Sequence, residues 1–225
     1  MIRSWALPIV LAGLALAFDA ADRRVPFSIL ATGALDEPAH LATGALGLLA
    51  LSCFIDVPRR FYVAGLIVSV AIDLDHIPIF FFGVGNPNQR PVTHSLATVA
   101  VVVVAAAASR RHRAVLAGVA AGLLIHFARD IVEGPPGVRM LWPLSNTAWT
   151  ASARWFWAMI IVFTVIRLIL VTLGIPRTRI RLFQEPVPVK SPSSPPIGRV
   201  TSGDRDPDIE MAGSDHAGAE EAPRT

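Results

Sequence analysis

Residues 61–82 read FYVAGLIVSVAIDLDHIPIFFF. At about 1.5 Å per helical residue, this run is long enough to cross the roughly 30 Å hydrocarbon core of a bilayer. Yet Asp73, Asp75 and His76 interrupt it, and an ionisable group at such a position is costly and marks a functional site. Two residues apart, the acids would point to nearly opposite sides of a continuous helix. Pro78 disfavours helical geometry at Ile77, so the helix is expected to bend or end here and to turn both acids inward.

The rest of the chain has the same character. Of 225 residues, 53% are hydrophobic, mostly Ala, Val, Leu and Ile, and the mean hydropathy is +0.54. That moves the prior from a soluble domain to a membrane protein. With only 8% aromatics and no strict polar–apolar alternation, the pattern is that of lipid-facing helices rather than a β-barrel. Five further apolar runs, 5–17, 41–55, 96–108, 114–132 and 155–175, predict an all-α polytopic bundle of about five or six transmembrane helices. The first run, ending Ala15-Leu16-Ala17, also resembles a signal peptide and is read as an uncleaved helix. Cys53 lies alone in an apolar run and excludes a disulfide framework and a Cys-based zinc site.

Basic residues set the expected orientation. Arg3, Arg59, Arg60, Arg110, Arg111, Arg113, Arg177, Arg179 and Arg181 fall on one side, against Arg23, Arg24, Arg90 and Arg139 on the other. The positive-inside rule then puts both termini in the cytoplasm of a multi-pass protein. These charges lie in short clusters between apolar runs, which is not the footprint of a nucleic-acid binder. Three regions are expected: an N-terminal helix or signal-like segment over 1–22, a helical membrane domain over 23–175, and a tail over 176–225. The tail, rich in Pro and Ser, carries no apolar periodicity and reads as a disordered cytoplasmic segment whose partner no motif names.

Polar residues recur within or beside the other runs. Asp36, Glu37 and His40 open the second; Arg90, Thr93, His94 and Ser95 precede the fourth; His126, Arg129, Asp130 and Glu133 close the fifth. Counted from the Arg cluster of its own helix, Asp73 lies about 20 Å deep, Asp75 about 22 Å, His94 about 24 Å and His126 about 20 Å. Asp130 and His40 come out near ~26 and ~28 Å. Four helices thus bring His and Asp to one level near the outer interface. His126 and Asp130 are four apart, with Glu133 continuing their helix face, a spacing that suits one metal or two adjacent ones. Imidazole and carboxylate donors favour zinc, with manganese as the second choice. Each residue also has a plainer role available. His40 could be a hydrogen-bonded interfacial residue, Asp130 could pair with Arg129, Thr93 or Ser95 could cap the fourth helix, and Arg90 could anchor at the interface.

At these residues the sequence resembles the YdjM-like family of membrane-bound, predicted metal-dependent hydrolases. The matching elements are His40, Asp73-Leu74-Asp75-His76, Arg90 to Ser95, His126 to Asp130 and the turn Leu141-Trp142-Pro143, in order over roughly residues 36–150. The chain has Gln89-Arg90 where that family often has His-Arg. The His-x-x-x-Asp element also bears a distant likeness to the all-helical zinc-dependent phospholipase C group, which suggests phosphoester cleavage by analogy alone.

The resulting expectation is a membrane-embedded metal-dependent hydrolase with its site facing outside. His40, Asp73, Asp75, His76, His94, His126 and Asp130 are the expected metal ligands. Metal-activated water would attack an ester or phosphoester. Glu133, or whichever of Asp73 and Asp75 does not ligate, would act as general base. Arg90, with Arg139 in support, would steady an anionic substrate. The bilayer itself is the expected partner, and a lipid or lipid-linked molecule the expected substrate. The alternative is a non-enzymatic ion or proton carrier, or a metal-binding membrane protein, because intramembrane Asp and His also mark ion pathways. A carrier would spread its polar groups over both halves of the bundle, whereas here they gather at one end.

Overall fold

The computed structural model describes residues 3–25, 29–86, 89–134 and 136–173. The chain divides into one unit over Met1–Glu185 and a second over Pro186–Thr225. The expected tail over 176–225, with Arg177, Arg179 and Arg181, lies outside the described residues.

The helices are α1 (Arg3–Asp22), α2 (Ile29–Leu51), α3 (Arg59–Ala71), α4 (Ile77–Phe82), α5 (Leu96–Ala108), α6 (Arg113–Asp130) and α7 (Ala153–Thr172). A 3₁₀ turn, Ile72–His76, joins α3 to α4. Val138 and Trp149 make one isolated antiparallel bridge, so the described residues are otherwise helix and loop. Two stretches, Arg59–Phe82 and Ala153–Thr172, are long and apolar enough to cross a membrane, and Leu96–Ala108 is a shorter apolar helix. That is fewer than the five or six spans expected. The difference has a physical source: α5 has only 13 residues, and α2 and α6 carry charged residues within their length.

Burial is inverted relative to a water-soluble domain. Arg129 and Asp130 are 1% and 0% exposed, while Val101 and Phe82 are 69% and 75% exposed. Polar groups that would be costly in lipid are gathered inside, and the outer faces of α5 and α7 present Val, Ile and Trp. This is how a bilayer-facing bundle sorts its side chains.

The site depends on the contact between α3 and α6. A Cβ on Gly118 would run into the Phe61 carbonyl, and one on Gly122 into the Gly65 carbonyl. One step further along, His126 faces the Ser69 carbonyl. These pairs share an offset of 57 positions, the mark of two helices side by side in parallel register. Glycines four apart let the backbones touch, since helices in lipid gain little from apolar burial and associate by close packing. A second cluster, Ala15, Ala42, Leu46, Phe156 and Ile160, packs α1, α2 and α7 together. Cys53 is buried, and the Arg167 guanidinium lies 3.3 Å from its sulfur.

Two local features differ from a simple reading of the apolar runs. α2 begins at Ile29, twelve residues before the run starting at 41, and includes Pro38. Asp36 and His40 therefore share one helix face. After Ala71 the α-helix tightens into the 3₁₀ turn. Pro78, at the start of α4, lacks an N–H and its ring would meet the residue-74 carbonyl of a continuous α-helix. In the tighter turn residues three apart eclipse, which sets His76 above Asp73.

Candidate metal centre

Four elements converge on the site: the first half of α2, the 3₁₀ turn, the loop before α5 and the C-terminal end of α6. Each arrives by a local cause. The α3–α6 register carries His126 to Ser69 and the adjoining turn. The loop before α5 is held from behind, because Leu96 N–H donates to the Met140 carbonyl at 2.9 Å and Arg139 donates to the Arg90 carbonyl at 2.8 Å. Ser95 stands at the N-cap of α5 without a side-chain capping bond, and the Thr93 hydroxyl donates instead to Asp75 Oδ2.

At the centre Asp73 Oδ1, His94 Nε2, His126 Nε2 and Asp130 Oδ2 face one another. The two Nε2 atoms are 3.3 Å apart. Asp73 Oδ1 lies 3.2 Å from His94 and 3.5 Å from His126, and Asp130 Oδ2 lies 3.5 Å and 3.2 Å from the same two atoms. The far side of each ring explains why these are acceptors. His126 Nδ1 is 3.0 Å from the Ser69 carbonyl, which can only accept, so the proton sits on Nδ1 and Nε2 carries a lone pair. His94 Nδ1 faces Asp75 Oδ2 at 3.3 Å, with the same consequence. With both rings neutral, four lone pairs converge here, and a shared cation would relieve their repulsion. Ligands held tetrahedrally at zinc–nitrogen and zinc–oxygen lengths stand about 3.3–3.5 Å apart. The observed spacings match that, so these residues fit a divalent metal.

Around this set, His94 and His126 are buried, as is Asp130. Combinations that could hold a metal among the described residues are His40–Asp73–His126, Asp73–His76–His94, His94–His126–Asp130 and Asp36–His40–Glu133. Six of the seven expected ligands therefore come together. Asp75 belongs to none of these combinations. It lies on the outer nitrogen of His94, 3.0 Å from His76 Nδ1 and in reach of Thr93, which is an orienting position.

The arginines are engaged with the carboxylates. Arg90 lies 3.0 Å from Asp130 Oδ2 and donates to Glu133 Oε2. Arg129 reaches Asp36 Oδ1 at 2.7 Å and Glu133 Oε1 at 3.1 Å, and stacks 5.3 Å from the Phe156 ring centroid. Asp130 pairs with Arg90 rather than with its neighbour Arg129, whose side chain leaves the helix in another direction.

Sequence reasoning passed over Asp36 as a site residue, although its four-residue spacing from His40 is the signal that would have found it. Glu37 was likewise left without a role. Its Oε2 makes no hydrogen bond, and the residue lines a cavity of about 400 Å³ that opens onto the site. Asp36, Asp73, His76, Arg90 and Glu133 form part of the polar wall of that cavity, and Ile77, Phe80 and Phe81 part of its apolar wall.

No curated protein and no solved structure matches the chain. A family model described as YdjM inner membrane protein matches residues 35–189, which takes in α2 from its seventh residue, all of α3 to α7 and the residues of the His and Asp cluster. With that match over more than half its length, and a buried His and Asp cluster inside an apolar helical bundle, the chain belongs to the YdjM inner membrane protein family.

Proposed function

We propose that the protein is a multi-pass membrane hydrolase in which Asp73, His94, His126 and Asp130 hold a divalent metal, zinc foremost. The observation that carries this reading is the convergence of Asp73, His94, His126 and Asp130 with His–His and His–Asp spacings of 3.2–3.5 Å, both rings and Asp130 being oriented by further partners. A divalent cation bound there would polarise an ester or phosphoester bond and make water a nucleophile at neutral pH. In this reading α1, α2, α5 and α6 join the two long apolar stretches in a five- or six-span bundle. The Arg-rich ends of α3 and α6 lie in the cytoplasm and the site opens outside. The cavity's polar and apolar walls suit a lipid or lipid-linked substrate entering from the bilayer.

The chain's own residues divide the remaining work. Asp75 fixes the ring of His94, and Arg90 fixes Asp130 and Glu133, so both act as positioning residues. Asp75 and Glu133, expected as general bases, are each engaged by several partners. Glu37 borders the cavity and has a buried oxygen without a hydrogen bond, and in this reading it takes the proton from water. Glu37→Gln is expected to keep the metal and to slow hydrolysis by about 10²–10⁴-fold. Turnover of a phosphoester probe, measured beside metal content, checks this; unchanged turnover assigns the base elsewhere.

Metal content of the detergent-purified chain tests the reading as a whole. His94→Ala and His126→Ala are expected to abolish stoichiometric binding. Asp75→Asn, acting only through His94, is expected to weaken it by about 10–100-fold. A wild-type chain that stays metal-free after added zinc and manganese sinks the hydrolase reading. Equal losses in all three variants would return Asp75 to the ligand set.

A further inference from the structure

His40 stands outside the four-atom set and raises a separate question. The residue is 1% exposed, and neither ring nitrogen makes a hydrogen bond. Yet Nε2 lies 3.5 Å from Asp36 Oδ2, 3.4 Å from Asp130 Oδ1 and 3.3 Å from Glu133 Oε1. An imidazolium among three carboxylates would draw at least one of them to a charge-assisted bond of about 2.7–2.9 Å. All three contacts instead fall at the spacing of atoms that share a tetrahedral cation, about 3.3–3.5 Å.

Asp130 connects this group to the first. Its Oδ2 faces His94 and His126, and its Oδ1 faces His40. We propose that Asp36, His40 and Glu133 form a second divalent-cation site, bridged to the first through Asp130, so that the centre is dinuclear. The inference rests on the metal reading of the first set and deepens it.

The orienting contacts and the charge agree with it. Arg129 takes Asp36 Oδ1 and leaves Oδ2 toward His40; Arg90 takes Glu133 Oε2 and leaves Oε1 toward His40, with Arg129 Nε 3.1 Å from that oxygen. Such outer partners are what aim a carboxylate at a metal. Asp36, Glu37, Asp73, Asp75, Asp130 and Glu133 face Arg90 and Arg129 in this cluster, which leaves four negative charges when the imidazoles are neutral. One divalent cation still leaves the cluster anionic. A second neutralises it, which lets an anionic substrate approach. Both sets border the same cavity through Asp36, Asp73 and Glu133. Paired cations are frequent in enzymes that displace at phosphorus, so phosphoesters are the substrate class to screen first.

The test uses the full chain in detergent, loaded with manganese, with metal per chain counted by plasma mass spectrometry and spin coupling read by electron paramagnetic resonance. Wild type is expected to hold two ions with a coupled signal. His40→Ala and Asp36→Asn are expected to hold one, with the signal of an isolated ion. Asp36→Asn keeps the shape and a hydrogen bond to Arg129, so it decides the matter if His40→Ala does not fold. A wild type with one ion, untouched by these variants and lost in His94→Ala, overturns the second site and leaves the first standing. Two ions retained in Asp36→Asn and in His40→Ala also overturn it. A wild type with none overturns both readings.

Discussion

Replacing Arg129 by methionine is expected to cost about 3–5 kcal/mol of folding stability, because it strands buried carboxylates without their counter-charge. Methionine keeps much of the volume over the Phe156 ring, so the loss is electrostatic rather than a cavity effect. Asp36 loses its 2.7 Å partner, Glu133 its 3.1 Å partner, and Asp19 the guanidinium 3.9 Å away. Lysine at this position is expected to recover only part of the stability, since one ammonium cannot reproduce a planar fork shared between two carboxylates. Thermal unfolding in detergent, followed by intrinsic Trp fluorescence, measures the effect. A methionine variant as stable as the wild type would mean that these acids are neutralised by something other than Arg129. Repeating the measurement with and without chelator then shows whether bound cations supply that charge.

Gly118→Leu is expected to be nearly as damaging, for a reason that lies about two helical turns away from the site. Any side chain there meets the Phe61 backbone, which cannot swing aside as a side chain would. Overpacking of this kind typically costs about 1–3 kcal/mol, and here α3 and α6 can relieve it only by moving apart. Separation withdraws the Ser69 carbonyl from His126 Nδ1 and frees the ring to rotate. Metal affinity is therefore expected to fall by about 10–100-fold even in whatever fraction folds, as it does when an outer partner is removed. Zinc titration of Gly118→Leu beside Gly118→Ala checks this, with alanine expected between leucine and wild type. Full affinity in the leucine variant would disconnect the helix contact from the site.

Much of this was legible in the chain. The apolar runs predicted helices because hydropathy and length are local properties, and six helical stretches stand where the runs lie. His94, His126, Asp73 and Asp130 were recognisable because ionisable residues in apolar runs are costly and rare. Their common depth followed from counting helical rise alone. The bend before Pro78 was legible for the same reason, since the proline ring acts on its own neighbours. Asp36 was harder to see, because the apolar run suggested that α2 starts at 41 and so left Asp36 outside the helix.

The sequence by itself determined a helical membrane chain with His and Asp residues gathered at one end, because periodicity, rise and the cost of buried charge act along one segment at a time. Only the tertiary structure decided which oxygen faces which nitrogen. It set Asp75 behind His94, turned Arg90 and Arg129 onto the carboxylates, and brought the Asp36–His40 face to Glu133. Those pairings join residues of different elements. They depend on how each helix is rotated about its axis, which the close packing of Gly118 and Gly122 on α3 sets to within a side chain's reach.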